Sequence, residues 1–195
     1  MLISTYLSNG NTIKHSSTSR FDRFDQVPFV LWQGGCPLQQ KISPFLWFNG
    51  CAEDAVNFYT SVFAEAKIGK TMRASKAGPG PEGSVLTIGF ELFGRKFTAF
   101  NFPTDFKFTE AVSFVVDCKD QAEVDYYWDC LSEGGEPRDC GWIRDRFGVF
   151  WQITPTRLIE LMTDSDPDVA ARAATAMMTM QKIDIAALER AVQAG

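Results

Sequence analysis

One cysteine stands in a setting that could support nucleophilic chemistry. Cys140 precedes a Gly-Trp pair, and Arg138 and Arg144 lie close to it in sequence. A thiol attacks as its thiolate, which needs a neighbouring cation or a helix N-terminus. Such a nucleophile is usually activated by an adjacent base, and the only histidine in the chain is His15. Cys140 is therefore a weak catalytic candidate, and a buried unreactive thiol is the favoured interpretation.

The scarcity of histidine limits the acid–base and metal chemistry open to the chain. Catalysis near neutral pH and transition-metal binding both rely on imidazole. The adjacent carboxylates Glu53 and Asp54 fall in the first turn of a predicted helix, where their charge favours the helix dipole and indicates a structural role. The glycine-rich segment 77–83 has no Lys-Ser/Thr pair and no following helix, so a phosphate-binding loop is not predicted there.

Composition excludes several classes of partner. The chain has 195 residues and a net charge of −5, without a basic stripe, so neither nucleic acid nor an anionic membrane is an expected partner. No apolar run reaches the ~18 residues that a membrane-spanning helix needs. The 5 cysteines form no C-x-x-C pair and are odd in number, which favours a reducing compartment and a cytoplasmic protein.

The elements that would position a site come from a layout that occurs twice. In each copy an apolar strand leads through a short turn into an amphipathic helix. At a constant offset, Leu46 matches Phe114 and Phe58 matches Tyr126. Repeated units of this kind indicate a duplicated fold.

Further strands follow each strand–helix unit. Residues 84–92 alternate between apolar and polar or small side chains, and a turn at 93–96 leads into a strand at 97–100. A second hairpin is predicted at 141–154, with Gly148 supplying a positive φ in its turn. Beyond it, Asp166 and Asp184 are predicted to cap two helices, the first with Pro167 at its first position.

These patterns divide the chain into three regions. Residues 1–40 are rich in Ser, Thr, Asn and Gly without periodicity, and a flexible N-terminal extension is predicted. Residues 41–155 form the predicted domain, with modules at about 41–102 and 108–155. Residues 156–195 are predicted to form C-terminal helices packed on that domain.

Several longer motifs fit one known family. They are 41–48 (KISPFLWF), 106–111 (FKFTEA), 140–142 (CGW), 145–148 (DRFG) with Trp151-Gln152, and 182–188 (KIDIAAL). With them the chain resembles the PhnB-like group of the vicinal oxygen chelate superfamily, which includes glyoxalases and bleomycin-resistance proteins. Its members often carry the label 3-demethylubiquinone-9 3-methyltransferase. The resemblance covers about residue 41 to the C-terminus.

The resemblance implies an α+β fold in which two βαβββ modules form a cupped mixed sheet, followed by a C-terminal helical extension. One face of the sheet packs on helices, and alternation along the strands assigns Leu46 and Phe48 to that face. The other face lines a cleft, and alternation assigns Ala99 to it. It also implies a homodimer, because domains of this fold commonly pair. Alternation along the strands and the aromatic content of the chain give the residues expected to contact a ligand in the cleft: Phe45, Trp47, Asn101, Trp142 and Gln152.

Metal-dependent relatives use His and Glu ligands at positions that carry Ser43, Ala111, Asn101 and Gln152 in this chain. None of these supplies an imidazole or an anionic oxygen, so neither a metal site nor another cofactor is expected.

Two hypotheses about function remain open at this point. In the first, the protein binds a small apolar or aromatic molecule in a metal-free cleft. In the second, it is an enzyme: a methyltransferase as the family label says, a thiol-assisted isomerase or lyase, or a metal-dependent isomerase, lyase or dioxygenase of the superfamily. The scarcity of histidine favours the first, as does the lack of a Gly-rich strand-to-helix turn of the kind that S-adenosylmethionine sites usually need.

Overall fold

The structure, a computed structural model, describes residues 40–194. The predicted flexible extension at 1–40 lies outside the described residues except for Gln40, and His15 lies outside them too. The Gln40 side chain pairs with the backbone of Lys96. It accepts a hydrogen bond from the Lys96 N–H at 2.8 Å and donates one to the Lys96 carbonyl oxygen at 3.2 Å.

The first module is a four-stranded sheet with one helix. Its elements are β1 (Phe45–Phe48), α1 (Ala52–Val62), β2 (Ala66–Arg73), β3 (Val85–Leu92) and β4 (Arg95–Asn101). The strand order is β1-β4-β3-β2, with β1 parallel to β4 and the other pairs antiparallel. A two-residue turn joins β3 to β4: both Phe93 and Gly94 have positive φ, as tight hairpin turns require.

The second module repeats this plan. Its elements are β5 (Phe114–Cys118), α2 (Gln121–Ser132), β6 (Glu136–Pro137), β7 (Trp142–Arg144) and β8 (Phe150–Pro155). The order is β5-β8-β7-β6, again with the first strand parallel to the last and the other pairs antiparallel. Gly148 has the predicted positive φ of 88° in the β7–β8 turn. The prediction of two βαβββ modules with mixed sheets is confirmed.

One hydrophobic core serves both modules. Aromatic pairs join them: ring centroids lie 5.4 Å apart for Tyr59 and Trp151, and 5.3 Å apart for Phe63 and Tyr127. Rings at these distances contribute beyond the area that they bury. In the first sheet the face that carries Leu46 and Phe48 is buried on this core, as predicted. The opposite face of each sheet, here called the open face, is turned away from the helices.

Three further helices follow β8: α3 (Thr156–Met162), α4 (Pro167–Met177) and α5 (Ile185–Gln193). Asp166 and Asp184 cap α4 and α5 through their carboxylates, as predicted. These helices share a smaller core of their own and are tied to α2 by Gln121, whose side chain bonds to the backbone of Ile183 and Ile185 at 3.1 and 2.9 Å. No helix within residues 40–194 has the length and apolar content to cross a membrane.

Candidate ligand-binding site

Strand register arranges the open face of the first sheet in three rows. Paired residues on neighbouring strands project to the same side, and successive residues alternate sides. The first row is charged: Lys67, Glu91 and Lys96. The second is mostly small: Gly89, Thr98 and Phe45. The third is apolar and aromatic: Met72, Thr87, Phe100 and Trp47. The open face is thus charged at one end and aromatic at the other.

The aromatic end forms a contiguous group of rings. This aromatic cluster consists of Phe45, Trp47, Phe100, Phe102 and Phe106. The Trp47 ring lies 5.0 Å from that of Phe100 and 5.3 Å from that of Phe106. Its indole N–H donates to the Phe102 carbonyl oxygen at 2.8 Å, which fixes the ring. Phe45 and Phe106 remain 60% and 70% exposed, so the cluster offers apolar surface.

A groove of about 520 Å³ lies over the small row. Its lining residues are Ser43, Lys67, Ile68, Gly69, Lys70, Gly89, Phe90, Glu91, Lys96, Phe97 and Thr98. Gly89 leaves the space open by having no side chain. A Cβ at this position would meet its nearest atom, the Lys70 carbonyl oxygen, at an ordinary contact distance of 3.6 Å. The groove therefore depends on Gly89, whereas the backbone there does not require glycine.

Two of the predicted ligand residues lie together on the second sheet. Trp142 and Gln152 are register partners on β7 and β8. Gln152 also lies beside Val115 on β5, and its amide N–H donates to the Ser113 hydroxyl at 2.8 Å. The structure thus brings Phe45 together with Trp47 on one sheet, and Trp142 together with Gln152 on the other.

The prediction that Asn101 faces the cleft is wrong. Because the two-residue turn sets Leu92 opposite Arg95, even-numbered residues of β3 pair with odd-numbered residues of β4. Asn101 therefore lies on the helix side of the sheet. Its amide oxygen accepts a hydrogen bond from the Ala52 N–H at the start of α1, at 3.3 Å, and its nitrogen donates to the Val85 carbonyl oxygen, also at 3.3 Å. The same register corrects the notion that Ala99 lines the cleft, since Ala99 is fully buried.

The structure gives Cys140 no activating neighbour among the described residues. It lies in a short 3-10 turn with φ 61°, and its sulfur contacts the Met178 sulfur at 3.8 Å. The Arg138 guanidinium pairs with the carboxylates of Glu110 and Glu136. The neighbouring arginine, Arg144, also pairs with Glu136. The cations close in sequence are thus committed to carboxylates, which supports the unreactive interpretation of this thiol.

A buried carboxylate that the sequence did not single out lies where the modules meet. Asp145, only 3% exposed, accepts hydrogen bonds from the Tyr59 hydroxyl at 2.7 Å and the Trp151 indole N–H at 2.8 Å. Burial raises the pKa of this carboxyl, and its hydrogen-bond donors oppose that shift. The pKa of the Tyr59 hydroxyl is raised well above its usual value, chiefly by burial and then by the Asp145 charge. The network is enclosed in the core, so its role is structural.

A larger cavity, of about 610 Å³, lies between the start of β4 and the strand β5. Several of its walls are side chains that also build the core, such as Phe63, Phe97 and Phe114. Charges of both signs line it: Arg95, Asp117 and Glu123. None of the predicted ligand residues lines this cavity. It is the competing location for a ligand, and it can be tested separately from the groove.

The positions that hold metal ligands in the metal-dependent relatives do not form a donor set here. Ser43 lines the groove, Gln152 belongs to the second sheet and Asn101 is bonded to the start of α1. Within residues 40–194, no three His, Cys, Asp or Glu side chains come together as metal ligands could. The residues present do not fit a divalent metal ion at the place that the resemblance implies.

Comparisons with known proteins agree with this fold. A sequence model of the family described as 3-demethylubiquinone-9 3-methyltransferase matches residues 40–154. A PhnB protein from Bacillus cereus is 37% identical, with a TM-score of 0.54 over 60% of this chain and 100% of that one. A protein from Pseudomonas aeruginosa is 19% identical, with a TM-score of 0.50 over 58% of this chain and 96% of that one, and shows the fold alone. No curated protein matches the chain.

The duplicated modules, the mixed sheets and the family match over 40–154 lead to one assignment. The chain belongs to the PhnB-like family of the vicinal oxygen chelate superfamily, the family whose sequence model is described as 3-demethylubiquinone-9 3-methyltransferase.

Proposed function

We propose that this protein binds a small apolar or aromatic molecule in the groove of the first sheet, without a metal ion. The observation that carries the proposal is the position of the groove next to the aromatic cluster: Thr98, which lines the groove, is the register partner of Phe45, whose ring is largely exposed. Ligand sites are concave and combine apolar surface with polar groups; this groove supplies the concave shape and the polar groups, and the aromatic cluster next to it supplies exposed apolar surface.

The aromatic cluster suits a planar ligand. Phe45 is the register partner of Thr98, which lines the groove, so Phe45 is the residue of the cluster next to the groove. Its ring lies 5.5 Å from that of Phe100, which in turn lies 5.0 Å from that of Trp47. A planar molecule on these rings would bury apolar surface that is now exposed, and each Å² buried would contribute about 25 cal/mol to the free energy of binding. Its ring could also stack on them in offset or edge-on geometry.

A blocking substitution provides the direct test. Gly89→Leu would fill the groove from its floor, because the added Cβ has room and only the remainder of the side chain enters the cavity. A neutral aromatic probe, 2-naphthamide, should bind the wild-type protein in calorimetric titration. Gly89→Leu should weaken that binding by about tenfold or more, equivalent to about 1.4 kcal/mol, while the melting temperature stays close to that of the wild type.

Ser113→Leu is the matched control, since it introduces the same side chain into the larger cavity between the modules. It should leave the affinity for 2-naphthamide unchanged. If Ser113→Leu weakens binding and Gly89→Leu does not, the ligand belongs in the larger cavity. If the wild-type protein does not bind the probe, or if neither substitution changes its affinity, the proposal is wrong.

The same proposal includes a homodimer. Exposed apolar side chains outside the groove support a homodimer. Among them are Val112, just before β5 and 68% exposed, and Val115, within β5 and 53% exposed. Strand β5 ends the second sheet and pairs only with β8 among the described strands, which leaves one edge available. Sedimentation velocity should give a dimer mass, and Val115→Lys should shift the population towards monomer. A wild-type monomer at tens of micromolar would refute this part.

A reducing, cytoplasmic setting fits the thiols. All four cysteines within residues 40–194 are free, namely Cys51, Cys118, Cys130 and Cys140. Burial raises the pKa of Cys118 to about 12, so this thiol resists oxidation in the folded state. Thiol titration of protein purified without reductant from the native host should find these sulfurs unmodified, and a disulfide among them would argue for another compartment.

The enzyme alternative draws on the family description, which names a methyl transfer. Incubation with S-adenosylmethionine and a demethylated quinone tests it directly. Methylated product that disappears in Cys140→Ala or Gln152→Ala would replace the binding proposal with an enzymatic one.

A further inference from the structure

We propose that the ligand of the groove carries an anionic group, so that the protein selects aromatic acids over neutral aromatic molecules of the same shape. The inference rests on the proposed function, because it places the ring of the ligand beside the aromatic cluster. It adds the charged residues that line the groove away from the aromatic cluster, namely Lys67, Lys70 and Lys96.

The charge of the groove is positive. Three lysines line it and Glu91 is the single carboxylate among its lining residues. Glu91 lies between Lys67 and Lys96 in the charged row, 3.9 Å from the Lys67 ammonium. Neither Lys70 nor Lys96 makes an ion pair with any residue in 40–194. Such a positive site stands out in a chain of net charge −5, and it is too small to suit a nucleic acid.

An irregularity in β2 brings one of these lysines into the groove. The register between β2 and β3 shifts between Ile68 and Thr71, so that both Gly69 and Lys70 lie opposite Gly89. In a bulge of this kind two residues on one strand oppose one on the other, which redirects a side chain. Lys70 thereby reaches the space that Gly69 and Gly89 leave vacant.

Hydroxyl groups lie between the two ends. Thr98 sits between Gly89 and Phe45 in the small row, and Ser43 lines the same groove just before β1. Neither side-chain hydroxyl has a hydrogen-bond partner among the described residues. Each could donate to a carboxylate oxygen held by the lysines, and charge-assisted bonds of this kind are the stronger class.

The spacing of the rows fits a ligand of modest length. Along β4, Lys96 and Thr98 are about 7 Å apart and Lys96 and Phe100 about 13 Å, at roughly 3.3–3.4 Å per residue. Flexible lysine side chains shorten the distance to be spanned. A fused two-ring aromatic acid can therefore place its ring near Phe45 and its carboxylate between Lys70 and Lys96.

A matched pair of probes isolates the contribution of the charge. The acid 2-naphthoate and the amide 2-naphthamide have nearly the same shape and differ by one negative charge at neutral pH. In calorimetric titration the wild-type protein should bind 2-naphthoate about fivefold more tightly, the effect expected of an exposed charge pair near 4 Å. Added salt should reduce this preference, because it screens exposed charges.

Charge substitutions then assign the effect to the groove. Lys70→Gln and Lys96→Gln should each weaken binding of 2-naphthoate severalfold and leave 2-naphthamide unchanged. Glu91→Gln should strengthen binding of 2-naphthoate only. Lys76→Gln is the control, since it removes the same charge from an exposed loop outside the groove. All four positions are on the surface or partly exposed, so thermal unfolding should report folded proteins.

The outcomes separate this inference from the proposed function. If the acid and the amide bind equally and the lysine variants behave as wild type, the preference for anions is wrong while an apolar ligand in the groove stands. If Lys76→Gln weakens 2-naphthoate binding as much as Lys70→Gln does, the effect is one of net charge and the inference is again wrong. If 2-naphthamide does not bind, or if its binding survives Gly89→Leu, both proposals fail.

Discussion

Replacing Tyr59 by phenylalanine should lower the free energy of unfolding, and the hydrogen bonds around Asp145 determine by how much. The Tyr59 hydroxyl and the Trp151 indole N–H donate to one oxygen of Asp145, at 2.7 and 2.8 Å. The backbone N–H groups of Phe147 and Val149 donate to the other oxygen, at 2.8 and 3.0 Å. The carboxylate therefore receives four hydrogen bonds in a place where water could not replace them.

The magnitude follows from which bond is lost. Tyr59→Phe removes one hydrogen bond to a charged acceptor, which costs about 1.5–3 kcal/mol in free energy of unfolding. Asp145→Asn should cost more, about 3–5 kcal/mol, because its amide nitrogen cannot accept a hydrogen bond. If that nitrogen faces Tyr59, the hydroxyl can rotate to accept, whereas the Trp151 indole N–H can only donate and loses its partner.

Urea unfolding followed by circular dichroism measures these losses, provided that the slope with denaturant is unchanged. Tyr127→Phe is the matched control, since it deletes a hydroxyl from another largely buried tyrosine that has no hydrogen-bond partner among residues 40–194. It should cost less than about 0.5 kcal/mol. If Tyr59→Phe costs no more than Tyr127→Phe, or if Asp145→Asn is as stable as the wild type, the network does not hold the modules together as described.

Three further predictions follow from the same contacts. Burial raises the pKa of Asp145 in the folded state, so the protonated carboxyl adds stability below about pH 4, the unfolded-state value. The stability of the wild type relative to Asp145→Asn should therefore fall as the pH rises through the folded pKa. Urea titrations of both proteins from pH 3 to 7 measure this difference in stability, and a difference that rises with pH would contradict the prediction. Asn101→Ala should lose about 1 kcal/mol of stability by removing its bond to the Ala52 N–H, without changing 2-naphthamide affinity in calorimetry. Cys140→Ala removes the contact with the Met178 sulfur and should leave probe binding unchanged, so a loss of binding would reopen a functional role for this thiol.

Local patterns and repetition were sufficient to predict most of the fold. The repeated strand–helix layout indicated two modules, the resemblance supplied their βαβββ plan, and alternation predicted that Leu46 and Phe48 face the core. The caps at Asp166 and Asp184 were predictable because a capping carboxylate acts within one helical turn of its own position. All of these signals lie within a short stretch of sequence.

The face of β4 could not be read from alternation alone. Which set of its residues faces the helices depends on how the Phe93–Gly94 turn pairs the strand with β3. Each face of β4 carries one phenylalanine and one small residue, Phe97 with Ala99 and Phe100 with Thr98, so hydrophobic contrast does not decide this. Shifting the register by one residue exchanges the faces, which is how Asn101 was assigned to the wrong side.

The Asp145 network escaped prediction for a different reason. Within its own segment, Asp145 begins a tight turn, and its bonds to Phe147 and Val149 fit that role. Its partner Tyr59 is 86 residues away, on the helix of the other module. Nothing local distinguishes an aspartate that only closes a turn from one that also accepts bonds from a distant helix. Such an assignment requires the packing of both modules.

The two modules have corresponding backbone positions that carry different side chains. In the first sheet Trp47 pairs with Phe100, and in the second Val115 pairs with Gln152, by the same parallel register of first and last strands. Phe100 is therefore the structural counterpart of Gln152. One copy of this position presents an aromatic ring beside a groove with lysines at its far end, and the other presents an amide bonded to Ser113. The two open faces have diverged in chemistry while keeping one geometry, so an aromatic acid should recognise the first sheet and not the second.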